Sequence, residues 1–194
     1  MSHYKESRKQ QADTHREQIN DLYRDYWGKS LDRIIDLDGQ NAYETDDNKT
    51  VADWHDIAGA DTGLVIETEH GGMITFVEEK TRYYDADGYA DSPDDVDLAL
   101  TTEYPNKSFA PKHKKHLELR TDGMFIPSWL FFGVHDSAGM CRCYLIDYNR
   151  LLAWYDAIEA ESTEHHNQRD GNVTRYVEVE TLDQYDLIEE RWTV

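Results

Sequence analysis

Cysteine, lysine and long apolar runs are all scarce in this chain of 194 residues. Its two cysteines, Cys141 and Cys143, lie two residues apart on a predicted strand, where they are poor disulfide partners. This excludes a disulfide-rich secreted domain, and we expect a reducing, cytoplasmic environment. No apolar run reaches the length of a membrane span, and the first residues show no apolar signal segment. The sequence therefore predicts a protein that does not enter a membrane.

Basic residues are also in the minority, since 20 Lys and Arg stand against 40 Asp and Glu and the net charge is -20. Proteins that bind nucleic acid usually have a basic surface. Two interpretations remain open. The acidic surface is typical of a salt-rich cytoplasm, where charges are screened, or binding takes place through a local basic face. The dense basic segment 112–116 is a candidate for that face, with Lys112, Lys114 and Lys115 binding phosphates. A charged loop that partly offsets the acids is the alternative.

The content of 13 Tyr and 5 Trp indicates a folded chain, although only 39% of residues are hydrophobic. The length suits one domain, 1–194. Helical and strand periodicities alternate, which predicts an α/β fold, close to α+β, with a mixed central sheet flanked by helices. The predicted helices are 4–27, 31–37, a helix capped by Asp147 and 182–192. The predicted strands are 62–68, 73–80, 97–103, 128–135, 140–146 and an edge strand at 173–179, with a polar segment at 162–172.

The hairpin 62–80 and the residue directly before it provide most of the candidate catalytic residues. Asp61 precedes its first strand, the turn is predicted at His70-Gly71-Gly72, and the second strand ends on Glu78-Glu79-Lys80. Because strand side chains alternate between two faces, Glu78 and Lys80 point one way and Glu79 the other. A hairpin brings Asp61 and Glu78 to the same end of the sheet. Two carboxylates and an ammonium then converge, which suits metal-assisted hydrolysis of a phosphodiester. Charged residues at exposed strand ends are the alternative.

This arrangement resembles the PD-(D/E)xK nuclease superfamily, which has the restriction-endonuclease fold with a helix before a β-meander. Asp61 matches the first acid of its motif, Glu78 the second and Lys80 the lysine. The chain departs from the motif in lacking the proline, since Gly59-Ala60 precede Asp61. The similarity covers about half of the chain, the nuclease-like core 50–152. The helix 4–27 and the segment 173–192 lie outside it.

The resemblance implies a Mg2+-dependent nuclease that cleaves DNA, with Mn2+ as a substitute metal and with RNA still open as a substrate. Asp61, Glu78 and the backbone carbonyl of Glu79 would be the metal ligands, and Lys80 would assist catalysis. Glu103, which ends the next predicted strand, is a further candidate catalytic residue, and a solvated strand end is its alternative. Arg82 is expected to contact DNA. Catalytic members often dimerise, so a homodimer is also an expectation.

A different class of function is an acidic protein without enzymatic activity. A chain with a pI of about 4.6 could imitate the phosphate backbone and occupy the DNA site of another protein, as some anti-restriction proteins do. The segment 85–97, with six acids and no base, favours this alternative. An inactive nuclease fold that serves as a binding module is a third. Carboxylates spread along an outer face would indicate the imitation of DNA, whereas carboxylates converging beside Lys80 would indicate a nuclease.

Overall fold

The structure is a computed structural model that describes residues 2–37, 61–84, 92–103, 116, 126–166 and 173–194. For 2–14 and 101–103 it describes the backbone only. The helices are α1 (Ser2–Trp27), α2 (Tyr148–Ala153), α3 (Tyr155–Glu161) and α4 (Val179–Gln184), with 3-10 turns at Gly28–Ser30 and Pro93–Asp95. The strands are β1 (Leu31–Asp36), β2 (Thr62–Thr68), β3 (Gly71–Tyr83), β4 (Leu98–Glu103), β5 (Trp129–His135), β6 (Met140–Asp147), β7 (Thr163–His166), β8 (Val173–Val177) and β9 (Ile188–Thr193).

Two sheets organise the described residues. The larger has six strands in the order β1-β2-β3-β5-β6-β9, and the smaller has three in the order β4-β8-β7. Strands β3 and β5 are parallel, whereas every other pair is antiparallel. The parallel pair requires a crossover connection between Tyr83 and Trp129, and β4 lies within that connection. A mixed sheet with helices confirms the predicted α/β fold.

The six-stranded sheet is covered on both faces. Phe131 and Phe132 are neighbours on β5 and point to opposite faces, yet they are only 0% and 1% exposed. One face packs against Ile19 and Tyr23 of α1. The other packs against the small sheet and the short helices, including Leu98, Val177, Leu151, Ile158 and Leu182. In the middle of β3, Val77 and Glu78 point to opposite faces and are only 0% and 2% exposed, and this part of the sheet positions the candidate site.

The first helix and the hairpin agree with the sequence. Helix α1 ends at Trp27, and Gly28 follows with a φ of +54°, a conformation that glycine adopts without strain. Strands β2 and β3 pair antiparallel, with Thr62 opposite Val77 and Thr68 opposite Gly71. The turn consists of Glu69 and His70, slightly earlier than predicted, and β3 is longer than the predicted 73–80. The strands predicted at 97–103, 128–135 and 140–146 are also present.

Two predicted helices are strands in the structure. The segment 31–37 forms β1, which pairs with β2 and places Ile34 opposite Leu64. The segment 182–192 contains only the end of α4 and then β9, which pairs with β6. Both helix predictions were wrong because a short segment with only two or three apolar residues fits either periodicity, and here an open sheet edge supplied hydrogen-bond partners. The main sheet thereby gains a strand at each end.

The region after β6 also differs in part from prediction. Asp147 caps α2 as predicted, since its Oδ1 accepts from the Arg150 amide at 3.0 Å. The helix is broken at Trp154 into α2 and α3. Residues 163–166 of the predicted polar segment form β7, and β8 is the central strand of the small sheet rather than an edge strand. None of the described helices is both long and apolar enough to cross a membrane.

Candidate active site

Asp61 lies at the start of β2, beside the peptide bond that joins Glu78 to Glu79. Its backbone amide donates to the Val77 carbonyl at 2.9 Å. Its carboxylate Oδ2 accepts from the Glu79 backbone amide at 2.6 Å. Standard covalent geometry then places this carboxylate oxygen at most about 5 Å from the Glu78 Cα. The hairpin therefore brings Asp61 to the backbone of β3 between Val77 and Glu79. The expected separation of about 5 Å or less between the two carboxylates stays a prediction.

Glu78 and Lys80 share one face of β3. Glu78 pairs with Leu130 and Lys80 with Phe132, and both partners belong to the core beneath the small sheet. Glu78 is only 2% exposed. The Lys80 ammonium donates to the Ala99 carbonyl at 3.1 Å, so β4 holds this side chain. A buried carboxylate is costly unless positive charge or donors compensate it, and Lys80 lies on the same face.

Glu79 points to the opposite face, as strand alternation predicts. Its carboxylate is 6% exposed and pairs with the Arg16 guanidinium at 2.7 Å. It also accepts from the Tyr23 hydroxyl at 2.8 Å and from the Thr62 hydroxyl at 2.6 Å. Two residues of α1 and one of β2 thus fix the side chain, while the Glu79 amide is bonded to Asp61. We call these residues, Arg16, Tyr23, Thr62 and Glu79, the Glu79 network. These contacts fix β3 at Glu79, the residue between Glu78 and Lys80.

The site lies where β3 continues past its neighbour. Strand β2 begins opposite Val77, but β3 runs on to Tyr83 and pairs with β5 as far as His135. Within the described residues, the half of β3 that carries Lys80 therefore has a paired strand on one side only. Asp61 and Lys80 are each partly exposed. The predicted acid and lysine both lie near the start of β2, where its pairing with β3 begins.

The face of Glu78 contains a polar pair that sequence reasoning did not connect with the site. The Tyr148 hydroxyl lies 2.7 Å from His116 Nδ1, and the two rings meet edge to face. His116 is fully buried. Burial raises the pKa of Tyr148, and the nearby charge of Glu78 raises it further. The two residues are 32 positions apart in the chain, so no local pattern could have paired them.

Two tyrosines should titrate only when the protein unfolds. Burial raises the pKa of Tyr23 and Tyr148 well above 10, and the charges of Glu79 and Glu78 respectively add to the shift. A folded-state pKa above the unfolded value favours folding fully below pH 10, and this contribution is lost as the pH rises above 10. In an alkaline titration followed by tyrosinate absorbance, part of the signal should appear together with unfolding. Tyr148→Phe should reduce that part of the signal.

Glu103 ends β4, which belongs to the small sheet and pairs with β8 rather than with β3. The Lys80 ammonium bonds to β4 at Ala99, four residues before Glu103. At about 3.3 Å per residue, the Glu103 backbone lies roughly 13 Å along the strand from that bond. The structure thus brings the start of β4, and not its end, to the candidate site. The structure describes only the backbone of Glu103, and its catalytic role stays a prediction.

The residues predicted to bind DNA are only partly described. Lys112, Lys114 and Lys115 lie outside the described residues. The segment 112–116 is described at His116 alone, and a fully buried residue cannot contact a phosphate backbone. Arg82 follows Lys80 on the same face of β3, and its guanidinium lies 4.3 Å from the centre of the Tyr176 ring. Its contact with DNA stays a prediction.

Among the described residues, no three His, Cys, Asp or Glu side chains form a ready metal site. Cys141 and Cys143 are free thiols, and burial raises the pKa of Cys143 to about 12. In comparisons with known proteins, this chain matches no protein-family model, no curated protein and no solved structure.

Proposed function

We propose that this protein is a Mg2+-dependent nuclease that hydrolyses phosphodiester bonds of DNA, a reaction typical of the PD-(D/E)xK superfamily. The observation that carries the proposal is the bond from the Glu79 amide to the Asp61 carboxylate. This bond holds the Asp61 carboxylate at the peptide bond between Glu78 and Glu79, and Glu78 shares its face with Lys80, which supports the proposal. The order of a helix followed by the antiparallel meander β1-β2-β3 also supports it.

The donor set fits a hard divalent cation. Asp61 and Glu78 offer carboxylate oxygens, and the Glu79 backbone carbonyl is an added oxygen donor nearby. A carboxylate has about four lone-pair sites, so the bond from Asp61 to one amide is compatible with metal ligation. Mg2+ usually keeps several waters and needs only one or two protein carboxylates. When bound here, it would polarise the scissile phosphate and acidify a water molecule.

Lys80 is suited to neutralise charge that develops on the phosphate. Its ammonium has three donors, and one of them is directed to the Ala99 carbonyl at 3.1 Å. That bond fixes the side chain on the face of Glu78. A positioned cation stabilises a transition state without reorganisation at the moment of reaction. The orientation of Lys80 by β4 is therefore what such a role requires.

The direct test is cleavage of plasmid DNA and of labelled oligonucleotides by the purified full chain. We expect products with Mg2+ or Mn2+ and none with EDTA. DNA and RNA of the same sequence, single-stranded and duplex, identify the substrate. A preparation that binds Mn2+ but leaves every substrate intact would contradict the proposal and favour an inactive binding module.

A further inference from the structure

A groove of about 550 Å³ lies between α1 and β1. Among the described residues, three arginines line it, Arg16 and Arg24 from α1 and Arg33 from β1. Asn20 lies between the two helix arginines. Four-residue spacing places Arg16, Asn20 and Arg24 in one row along the helix, about 6 Å apart and about 12 Å in total. That length corresponds to roughly 3–4 phosphates of one strand at 3.4 Å per nucleotide.

The charge around the groove is unlike that of the rest of the chain. Residues 1–37 contain seven bases and seven acids, so the entire net charge of -20 falls on the residues that follow. Among the described residues of the groove lining, the three arginines face two carboxylates, Asp32 and Asp36. An anionic strand that approaches this protein therefore meets less repulsion here than over most of the chain, and repulsion between like charges decides where association begins.

Two of the arginines are available to a ligand. Arg24 is 60% exposed and pairs with Asp21, and Arg33 is 70% exposed and lies 4.0 Å from Asp32. Exposed ion pairs of this kind contribute little to stability, so exchanging them for phosphate contacts has a small cost. Arg16 is different, because it is 26% exposed and holds the buried carboxylate of Glu79. Arg16 therefore forms part of the groove wall, whereas the exposed guanidinium groups of Arg24 and Arg33 can contact a ligand.

The groove reaches the Asp61 end of β2. Thr62 lies in its lining and is the residue directly after Asp61. Arg16 donates to the Thr62 hydroxyl at 3.1 Å as well as to Glu79. A strand seated in the groove would therefore end near Asp61 on the α1 face of the sheet, whereas Glu78 and Lys80 lie on the opposite face.

We propose that this groove binds the sugar-phosphate backbone of one nucleic-acid strand, with Arg24 and Arg33 contacting its phosphates. The proposal rests on the proposed nuclease function. It adds a second contact surface to the one predicted at Lys112, Lys114 and Lys115, which stays a prediction.

The test compares the double variant Arg24→Gln/Arg33→Gln with the unaltered full chain. The matched control is Arg150→Gln/Arg191→Gln. These two arginines also form surface ion pairs, but Arg191 is on β9 at the opposite edge of the sheet and Arg150 is on α2. Affinity for labelled DNA and RNA of one sequence, single-stranded and duplex, is measured across a salt series with Ca2+ in place of Mg2+. Gel analysis verifies that the substrate stays intact.

Loss of two phosphate contacts should flatten the slope of log affinity against log salt by about 1.4 on single strands and about 1.8 on duplex DNA. The control variant should keep the slope of the unaltered protein. A greater change on RNA than on DNA would identify RNA as the strand that the groove holds.

A slope that is the same in the groove variant as in the control overturns the groove proposal, whatever the cleavage assay shows. So does an unaltered protein that binds none of the four substrates. A flattened slope together with no cleavage by the unaltered protein overturns the nuclease proposal, and it leaves the groove as a nucleic-acid-binding surface. Each of the two proposals can therefore be refuted without refuting the other.

Discussion

Asp61→Asn, Glu78→Gln and Lys80→Met should each lower the rate of Mg2+-dependent DNA cleavage by about 10²- to 10³-fold, the loss typical of removing one charged or donor group from a transition state. Asp61 and Glu78 would supply the metal ligands, and Lys80 a cation for the phosphate. The substitutions keep the approximate size of each side chain, so the fold should survive. Initial rates on a labelled oligonucleotide measure the effect.

The matched control is Glu67→Gln. Glu67 is an exposed acid of β2, on the strand that Asp61 precedes but close to the opposite end of the hairpin. It should retain full activity. If Glu67→Gln reduced cleavage as much as Glu78→Gln, bulk acidity rather than a defined site would control the reaction. If Lys80→Met alone kept full activity, the lysine of the motif would have no chemical role.

Arg16→Met should lower the free energy of unfolding by about 2–4 kcal/mol, because removing one partner of a buried ion pair leaves an uncompensated charge in the core. The charge left behind is the Glu79 carboxylate, which is 6% exposed. For a protein of this length, the thermal midpoint should fall by about 5–10 °C. Chemical denaturation followed by tryptophan fluorescence provides the free energy directly.

Two comparisons distinguish the contribution of the Glu79 network to stability from that of an ordinary surface ion pair. Arg24→Met breaks an exposed pair on the same helix and should change stability by less than about 0.5 kcal/mol. Arg16→Met/Glu79→Gln removes both charges, so it should be less destabilised than the sum of the single variants predicts. Full additivity would show that the two side chains do not interact in solution. Glu79→Gln should keep cleavage activity per folded molecule, since its side chain faces away from Glu78.

The hairpin and the distribution of its side chains could be read from the sequence because both depend on local rules. Because side chains alternate between the two faces of a strand, Glu78 and Lys80 of β3 share one face and Glu79 points to the other, independently of the rest of the fold. A tight turn between two apolar strands brings the end of the second strand, with Glu78, back to the start of the first, next to Asp61. Helix α1 was predictable for the same reason, since its apolar spacing is intrinsic to the segment.

The rest of the site depends on contacts between distant parts of the chain. Arg16 and Glu79 are 63 residues apart, and His116 and Tyr148 are 32 apart. No periodicity links either pair, because their meeting requires the packed sheet. Strands β1 and β9 were missed for a related reason. A short apolar segment takes the hydrogen bonds that a neighbour offers, and the neighbours β2 and β6 could not be assigned to them from the sequence.

Binding of Mn2+ to the full chain tests whether Asp61 and Glu78 together hold a divalent cation. Free Mn2+ measured by electron paramagnetic resonance during a titration reports the number of sites and their affinity. We expect the unaltered protein to have a site from which Mg2+ displaces Mn2+. This site should be lost in both Asp61→Asn and Glu78→Gln but kept in Glu67→Gln. Equal binding of Mn2+ by all four proteins would contradict this expectation, because the cation would then be bound by the acidic surface in general.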